Sequence, residues 1–352
     1  MAENHNKQKP LIIAGPCSAE TEEQMMNTAL ALKKTEKVDF LRAGIWKPRT
    51  RPNSFEGVGE IGLPWLMAAS KTTGIPAITE VANRKHVEAA LKAGLKHLWI
   101  GARTSVNPFA VQEIADALEG TSVAVWVKNP INPDLNLWIG AIERIKNAGI
   151  QKVNAIHRGF SAAKSQTYRN EPMWEIPLAL KNEFPHLKLI CDPSHIGGRR
   201  DILSSIAQKA MDLIYDGLMI ETHLSPDDAW SDAQQQITPN TLNELIDNLI
   251  IRSESILDAG VKKSLNELRT MIDEIDFELL SLIQKRMSIA EEIGAYKKEH
   301  HITILQPKRW EEIRQLQLKA GQDKGLTTKF IERYLEAIHQ ESIRHQTSVM
   351  NK

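Results

Sequence analysis

A set of chemically reactive residue types is spread over the first 232 residues of the sequence, and most of its members lie just after a short apolar run. The set combines a thiol, a hydroxyl, imidazoles, carboxylates and six cations: Cys17, Arg42, Lys47, Arg49, Thr50, Glu80, Arg103, Lys128, Arg158, His195, Glu221, His223 and Asp232. Six positive charges gathered in one place would repel each other unless they bound an anion, and guanidinium groups suit phosphate and carboxylate oxygens. The sequence therefore predicts a site for one doubly anionic small molecule or for two anionic ones.

Four of these residues carry side chains that bind transition metals. Cys17, His195, Glu221 and Asp232 supply a thiolate, an imidazole and two carboxylates, a mixture that suits Mn²⁺, Fe²⁺, Co²⁺ or Zn²⁺ in a catalytic site. Their spacing is too wide for a zinc finger, so separate strands would have to bring them together. For Cys17 and the second cysteine, Cys191, a packed thiol or a disulfide is the alternative interpretation.

The elements that position these residues are short β-branched or apolar runs that alternate with helix-like segments. Eight runs occur, over residues 11–14, 39–42, 76–79, 97–101, 123–127, 152–156, 188–191 and 217–220. Eight βα units in this length predict an α/β protein whose strands close into a (β/α)8 TIM barrel, although an open doubly wound sheet has the same strand period. In a barrel, the reactive residues lie at the C-terminal ends of the strands, where active sites form.

The composition excludes several classes of protein. The 352 residues contain 44 basic and 44 acidic side chains, so no net field draws the chain to nucleic acid or to an anionic membrane. No apolar run approaches the roughly 18 residues that a membrane span needs, and the polar first ten residues lack the apolar stretch of a signal peptide. With only two cysteines in addition, we expect a cytoplasmic protein.

Proline and glycine usage divides the chain into two domains. Only Pro307 of the 16 prolines lies beyond Pro239, and only four of the 19 glycines lie at or beyond residue 260. We predict a barrel domain over residues 1–250, a linker over 251–262 and an all-α three-helix domain over 263–352. Its first helix, 265–296, would run about 50 Å, too long to be covered by shorter helices at 308–318 and 327–346. We therefore expect a homodimer or a higher homo-oligomer.

Polar residues interrupt the apolar stripe of this helical domain. Heptad counting from Leu265 places Arg286 at a core position, and Lys297, eleven residues further on, lies on the same face. In the last helix, Ser342 and Gln346 continue an apolar face. Buried polar groups need partners, so the pattern indicates a bound anion. A dimerising coiled coil with snorkelling cations is the alternative.

Five segments of the first domain resemble a known family. They are Gly15-Pro16-Cys17-Ser18, Leu41-Arg42 with Lys47-Pro48-Arg49-Thr50, Ile100-Gly101-Ala102-Arg103, Asp192-Pro193-Ser194-His195 and Ser231-Asp232-Ala233-Gln234-Gln235. Together they are similar to the compact, beta branch of type I 3-deoxy-D-arabino-heptulosonate 7-phosphate (DAHP) synthase. The resemblance implies a metal-dependent enzyme that condenses phosphoenolpyruvate with erythrose 4-phosphate, the first step of the shikimate pathway to the aromatic amino acids.

The same resemblance implies a role for each motif residue. Cys17, His195, Glu221 and Asp232 would bind the metal, with Mn²⁺ as the first choice; Arg42, Lys47, Arg103, Lys128 and Arg158 would bind phosphoenolpyruvate; and Arg49 and Thr50 would bind erythrose 4-phosphate. Lys47, His195 and His223 are candidate proton carriers.

Three pairs or triplets distinguish this chain within the resemblance. Pro48-Arg49 separates it from the sister synthase that uses arabinose 5-phosphate, which carries Ala-Asn at these positions. The family's Glu-Arg-Gly after the sixth strand reads His157-Arg158-Gly159, and its Lys-Arg-Gly reads Lys128-Asn129-Pro130. The cations remain, but the lining beside them is altered.

The segment from Leu265 to Gln346 resembles the all-α class of chorismate mutase, which rearranges chorismate to prephenate without a metal. The matching positions are Arg269, Arg286, Lys297, Arg309, Ser342 and Gln346. The resemblance implies that Arg269 of the partner subunit helps Arg286 to bind the two carboxylates, while Lys297 and Gln346 act catalytically on the ether oxygen. Gln306 and Trp310 replace the acids that usually flank the arginine of the Pro-x-Arg motif.

The two resemblances together imply a bifunctional enzyme with phosphoenolpyruvate, erythrose 4-phosphate and chorismate as substrates. In the alternative interpretation, the helical domain mainly dimerises and senses prephenate or chorismate, which would slow the barrel by allosteric feedback. A barrel that uses arabinose 5-phosphate is the remaining alternative. Nucleic acids and membranes are not expected partners.

Overall fold

The structure, a computed structural model, describes residues 9–48, 55–162, 167–252 and 259–351. The chain divides into two compact units, Met1–Glu254 and Ser255–Lys352. The first unit alternates strands and helices, whereas the second is helical throughout its described part. In the described ranges, no helix combines the length and the apolar character that a membrane crossing requires.

Eight parallel strands close the first unit into a barrel in chain order, and β1 pairs with both β2 and β8. The strands are β1 (Leu11–Gly15), β2 (Phe40–Arg42), β3 (Ala77–Val81), β4 (His97–Ile100), β5 (Ala124–Lys128), β6 (Lys152–His157), β7 (Leu189–Cys191) and β8 (Gly217–Glu221). The predicted TIM barrel is confirmed, and the open doubly wound sheet is excluded. All eight carboxyl ends meet at one mouth, because parallel strands of a closed barrel run in the same direction.

Helices connect the strands and cover the outside of the barrel. They are α1 (Glu22–Lys33), α2 (Gly62–Thr73), α3 (Arg84–Lys92), α4 (Pro108–Leu118), α5 (Leu135–Asn147), α6 (Glu175–Glu183), α7 (Pro193–Gly197), α8 (Leu203–Asp212) and α9 (Pro239–Asp247). The side chains of Thr21, Asn83 and Asp134 each accept a hydrogen bond from a backbone N–H in the first turn of the following helix. These caps satisfy amides that the helix leaves unpaired, which fixes where each helix begins.

Two apolar layers hold the barrel together. The inner layer fills the barrel with Ile13, Ile78, Trp99, Trp126, Ile156, Ile190 and Met219. The outer layer lies between the strands and the covering helices and includes Trp138 and Cys191. Both cysteines are buried free thiols, so the disulfide alternative is wrong.

Glycine at position 15 permits the close approach of β1 and β2 at the mouth. Its φ is +147°, and a Cβ added there would lie 2.1 Å from the carbonyl oxygen of Arg42. Because only glycine avoids this clash, Gly15 lets the segment that carries Cys17 lie beside the end of the strand that carries Arg42.

The second unit consists of α10 (Ala259–Glu299), α11 (Pro307–Asp323) and α12 (Thr328–Met350). The three predicted helices are confirmed, and α10 begins four residues before position 263. Met287, Ala290, Ile331 and Leu335 are buried where α10 and α12 pack together. Many large apolar side chains of α10 are exposed in this single chain: Leu268, Met271, Ile272, Ile275, Phe277, Leu279, Leu280, Leu282, Ile289, Ile293 and Tyr296.

Candidate active sites

A cavity of about 180 Å³ opens at the mouth of the barrel. It is lined by Lys47, Pro48, Glu80, Ala102, Arg103, Lys128, Arg158, Arg169, Asn170, His195 and Asp232. These residues lie at the ends of seven different strands or in the loops that follow them. The closed barrel therefore gathers distant residues at one site, as the sequence predicted.

Cys17 lies beside a lysine and a carboxylate at the base of this site. Its Sγ lies 2.8 Å from Lys47 Nζ and 3.3 Å from Asp232 Oδ2. Burial and the nearby Glu221 carboxylate raise the pKa of the Cys17 thiol to about 12. Burial by itself lowers the pKa of Lys47, but the negative charge of Cys17 when ionised and that of Glu221 outweigh this effect, and the pKa is raised. At neutral pH the pair is therefore a thiol and an ammonium group.

Glu221, the last residue of β8, joins the remaining members of the predicted metal site. Its carboxylate accepts hydrogen bonds from Arg42 at 3.0 Å and from Gln235 at 2.6 Å, and it lies 3.8 Å from His195 Nε2. Burial favours the neutral acid, but His195, followed by Arg42, reverses this effect and lowers the pKa of Glu221. Glu221 is therefore a buried carboxylate.

The four predicted metal ligands lie close together in two contacting pairs, Cys17 with Asp232 and His195 with Glu221. In the described parts of the chain, no three of the His, Cys, Asp and Glu side chains form a group already arranged to hold an ion. The ammonium group of Lys47 contacts Cys17 of the first pair, and the guanidinium of Arg42 contacts Glu221 of the second pair. The donor types fit a transition metal. Binding a metal ion would require the side chains of Lys47 and Arg42 to move away from the donor atoms.

Asp192 organises the neighbouring part of the mouth, a role that we did not predict from the sequence. Its Oδ2 lies 2.9 Å from Lys128 Nζ and 2.8 Å from His195 Nδ1, while Oδ1 accepts from the backbone N–H of His195. Asp192 also caps α7, the short helix that carries His195. A carboxylate on one imidazole nitrogen orients the ring and leaves Nε2 towards Glu221.

Arg42 is buried and has unused hydrogen-bonding capacity. Its Nη2 donates a hydrogen bond to Glu221, but neither Nε nor Nη1 has a hydrogen-bond partner in the described ranges. The guanidinium carbon lies 5.0 Å from the centre of the Trp99 ring, and Lys128 Nζ lies 5.6 Å from the same ring centre. A buried donor without a partner destabilises the folded state. An anion bound beside Arg42 would supply the missing hydrogen-bond acceptors.

The other predicted cations differ in their surroundings. Arg158 is buried, and this burial lowers its pKa to about 10, whereas Arg103 is exposed at the rim. Arg49 and Thr50, which were predicted to bind the second substrate, lie outside the described residues. His223 lies 3.5 Å from Glu20 and does not line the cavity.

The unusual residues beside the cations are accommodated by local hydrogen bonds. Asn129 accepts from the backbone N–H of Arg158 at 2.7 Å and donates to the carbonyl of Gly159 at 2.8 Å. His157 contacts Tyr215 Oη at 2.9 Å and the carbonyl of Pro172 at 2.7 Å, and burial lowers its pKa to about 3. Asn129 and His157 therefore hold the start of the loop after β6 by hydrogen bonds, and neither side chain lines the cavity.

Arg169 is a cavity residue that sequence reasoning missed. Its guanidinium donates to Asp232 Oδ1 at 3.0 Å and to Gln235 Oε1 at 2.7 Å. Asp232 has a left-handed φ of 48°, an unusual conformation for a residue other than glycine. Arg169 lies eleven residues after Arg158 in a loop without a motif, so no local signal pointed to it.

A second group of candidate functional residues lies on α10 and α12 of the helical unit. Arg286 Nη1 hydrogen-bonds Ser342 Oγ, and Lys297 Nζ donates to the carbonyl of Ile304 at 2.6 Å. Gln346 is buried, and among the described residues its Oε1 has no partner. A Cβ on Gly294 would lie 3.0 Å from Gln346 Cα, so this glycine permits the close approach of the two helices.

The remaining predicted residues of this unit are not gathered around Arg286 within one chain. Arg309 pairs with Glu312 on the surface of α11. Arg269 is exposed, and it lies on the same helix as Arg286, about 25 Å away along the axis at 1.5 Å per residue. The two arginines cannot meet around one small ligand unless a second chain supplies Arg269.

Comparisons with known families agree with the division into two units. Residues 3–257 match the DAHP synthetase I family. Residues 268–347 match chorismate mutase type II. The second match spans α10 to α12 and includes Arg286, Lys297 and Gln346.

Individual relatives resemble the first unit. The chain is 32% identical over 253 residues to the phospho-2-dehydro-3-deoxyheptonate aldolase of Thermotoga maritima, covering 71% of each chain. A crystal structure of that enzyme superposes with a TM-score of 0.61 at 30% identity, covering 67% of each chain. A 2-dehydro-3-deoxyphosphooctonate aldolase of Caulobacter vibrioides is 27% identical over 271 residues, covering 70% of this chain and 88% of the relative.

Proposed function

The chain belongs to the DAHP synthetase I family, and on this basis we propose that its barrel condenses phosphoenolpyruvate with erythrose 4-phosphate to give DAHP and phosphate. We further propose that the helical unit, which contains a chorismate mutase type II domain, rearranges chorismate to prephenate. The protein would then be a bifunctional enzyme of the shikimate pathway that works in the cytoplasm.

The observation that carries the synthase proposal is the buried guanidinium of Arg42. Two of its nitrogens lack partners among the described residues, and the buried cations Lys128 and Arg158 lie at the same mouth. Phosphoenolpyruvate carries a phosphate and a carboxylate, so it supplies the two anionic groups that such a cluster needs. Arg103 at the rim would complete its binding.

The proposed reaction joins C3 of phosphoenolpyruvate to the aldehyde carbon of erythrose 4-phosphate. Water adds to C2 and loses a proton. The bond between C2 and the phosphate oxygen then breaks, the C2 hydroxyl loses its proton to give the ketone, and phosphate leaves with the bonding electrons. The protonated ammonium of Lys47 lies against Cys17 and can supply a proton to the aldehyde oxygen as it becomes a hydroxyl. His195, oriented by Asp192, is the second candidate proton carrier.

We propose that Cys17, His195, Glu221 and Asp232 hold a divalent metal ion, with Mn²⁺ as the first candidate and Fe²⁺, Co²⁺ and Zn²⁺ as alternatives. When bound, it would supply Lewis-acid polarisation to the aldehyde. The support for this proposal is the mixed donor set and the close contact of its members in two pairs.

The direct test measures phosphate release from phosphoenolpyruvate with erythrose 4-phosphate and, separately, with arabinose 5-phosphate. We expect turnover with erythrose 4-phosphate, because Pro48 at the cavity edge belongs to the Pro-Arg pair of the DAHP enzymes. Preferential turnover with arabinose 5-phosphate would reject the assignment. Loss of chorismate, followed in parallel, tests the second activity.

A chelator such as EDTA is expected to abolish phosphate release and to leave chorismate conversion unchanged. The proposed mutase residues include no metal ligand set, whereas the synthase residues do. Both rates and the metal content are measured on one sample before chelation, after it, and after separate additions of the four metals. Full synthase activity in metal-free protein would reject the metal proposal.

We propose that a second copy of the chain completes the mutase site. The long exposed apolar face of α10 needs a cover, and the partner's Arg269 could reach the ligand held by Arg286. Arg286 and the partner's Arg269 would bind the carboxylates of chorismate, while Lys297 and Gln346 would stabilise charge on the breaking ether bond.

A regulatory role of the helical unit is the second candidate function, favoured by the presence of both domains in one chain. Saturating prephenate is expected to lower the synthase rate by at least about fivefold, the lower end of allosteric coupling. The Arg286→Ala variant should resist this inhibition, because it loses the carboxylate contact. Synthase rates that do not respond to prephenate in the unaltered chain would exclude this role.

A further inference from the structure

Two aromatic rings are stacked at the edge of the site in the helical unit. The indole of Trp310 on α11 lies over the imidazole of His339 on α12, with ring centroids 3.8 Å apart and planes inclined by 16°. Both side chains are half-buried. His339 precedes Ser342 by three residues and Gln346 by seven, so the three share one face of α12. The stack therefore lies beside the turn of α12 that Arg286 contacts at Ile338 and Ser342.

The imidazole of His339 is neutral at physiological pH and available for hydrogen bonding. Burial, assisted by the charge of Arg286, lowers the pKa of His339. A neutral imidazole has one N–H donor and one nitrogen acceptor. The imidazole stacks on the indole through its face, and among the described residues no hydrogen bond of its ring nitrogens is found. Hydrogen bonds in the plane of the ring therefore do not compete with the stack.

The chemistry of chorismate leaves one polar group without an assigned partner. Cations suit its two carboxylates, and Lys297 and Gln346 suit its ether oxygen. The ring hydroxyl is neutral and its O–H needs a hydrogen-bond acceptor, which the cations Arg286 and Lys297 cannot supply. Gln306 and Trp310 do not supply an ionised carboxylate to it either.

We propose that His339, held in place by the face of Trp310, hydrogen-bonds the ring hydroxyl of chorismate and determines specificity for the hydroxylated substrate. This inference rests on the proposed mutase function. Trp310 is the positioning residue of the pair, because a flat indole restricts the imidazole to one orientation without adding charge beside the substrate carboxylates. His339 and Trp310 would thus provide the hydrogen bond to the hydroxyl that a carboxylate provides in other members of the mutase family.

The test compares two ligands in three full-length proteins. The proteins are the unaltered chain, His339→Leu and His339→Gln, and the ligands are chorismate and an analogue in which hydrogen replaces the ring hydroxyl, used as a competitive inhibitor. We expect His339→Leu to lower kcat/KM for chorismate about tenfold and to leave the inhibition constant of the analogue unchanged. Glutamine, which can donate and accept, should restore most of the loss.

Tryptophan emission supplies a second readout, because Trp310 is the only tryptophan beyond residue 254. Binding of chorismate to the unaltered chain should change an emission component that is missing in Trp310→Phe. That component should respond less to the analogue. The inhibition constant of the analogue, which should stay unchanged in each variant, serves as the control for folding of the helical unit.

The possible outcomes separate the inference from the function on which it rests. Equal losses of affinity for both ligands in His339→Leu would show a merely structural role and overturn the inference. An unaltered kcat/KM in His339→Leu would overturn it as well. If the unaltered chain does not convert chorismate, the mutase function itself is rejected, and the inference falls with it.

Discussion

Replacing Cys17 with alanine is expected to abolish DAHP synthesis while chorismate conversion continues at its original rate. The thiol lies 2.8 Å from Lys47 Nζ and 3.3 Å from Asp232 Oδ2, so the change removes a proposed metal donor and a neighbour of two site residues. Loss of an outer partner of a metal costs about 10- to 100-fold. Loss of a direct donor should therefore lower the synthase kcat/KM by more than about 100-fold, measured as phosphate release.

Cys191→Ala is the matched control for this variant. Cys191 is equally buried, but it packs in the apolar layer between the strands and the helices. A similar loss of synthase activity in Cys191→Ala would show that a thiol-sized gap in the barrel is responsible, not the loss of a donor. Loss of chorismate conversion in Cys17→Ala would contradict two separate sites.

Arg286→Ala should have the opposite effect and remove chorismate conversion while DAHP synthesis continues. Arg286 is held by Ser342, on the face of α12 that also carries His339 and Gln346. Removing one positioned donor of this kind costs about 100- to 1,000-fold in kcat, so chorismate loss should slow by that factor. The rate is followed by the disappearance of chorismate in the same preparation that is assayed for phosphate release.

Two further variants distinguish chemistry from folding. Arg314→Ala removes an exposed arginine of α11 that pairs with Glu311 and Glu332, and exposed pairs contribute little to stability. It should retain both activities. Arg286→Lys keeps the charge but loses the bidentate geometry, so it should recover only part of the rate. Equal activity of Arg286→Ala and the unaltered chain would remove Arg286 from the proposed site.

Much of the fold could be predicted because local patterns specify it. A buried parallel strand needs a short apolar run, and the residue after it must lie at the mouth of the barrel. This rule correctly placed Lys128, which is the last residue of β5, and Arg158, which directly follows β6, at the mouth of the barrel. In the helical unit, the three- and four-residue spacing of apolar residues predicted α10, Pro307 marked the start of α11, and the segment from Gly321 to Gly325 indicated a break before α12.

The contacts within the sites could not be predicted in the same way. Asp192 was recognised only as part of a motif, yet in the structure it binds Lys128 across 64 positions of sequence. Arg169 follows no strand directly and gave no periodic signal, although it contacts Asp232. The stack of Trp310 on His339 also joins two helices that nothing in their separate patterns connects.

The sequence by itself determined the residue types, the strand and helix periods, and therefore the barrel, the helical unit and the families they resemble. Tertiary structure alone decided which side chains touch, because Cys17 and Asp232 are separated by 215 positions and meet only when the eighth strand closes on the first. Periodicity acts over a few residues through the geometry of the backbone. Contact pairing depends on how whole elements pack, which no local spacing specifies.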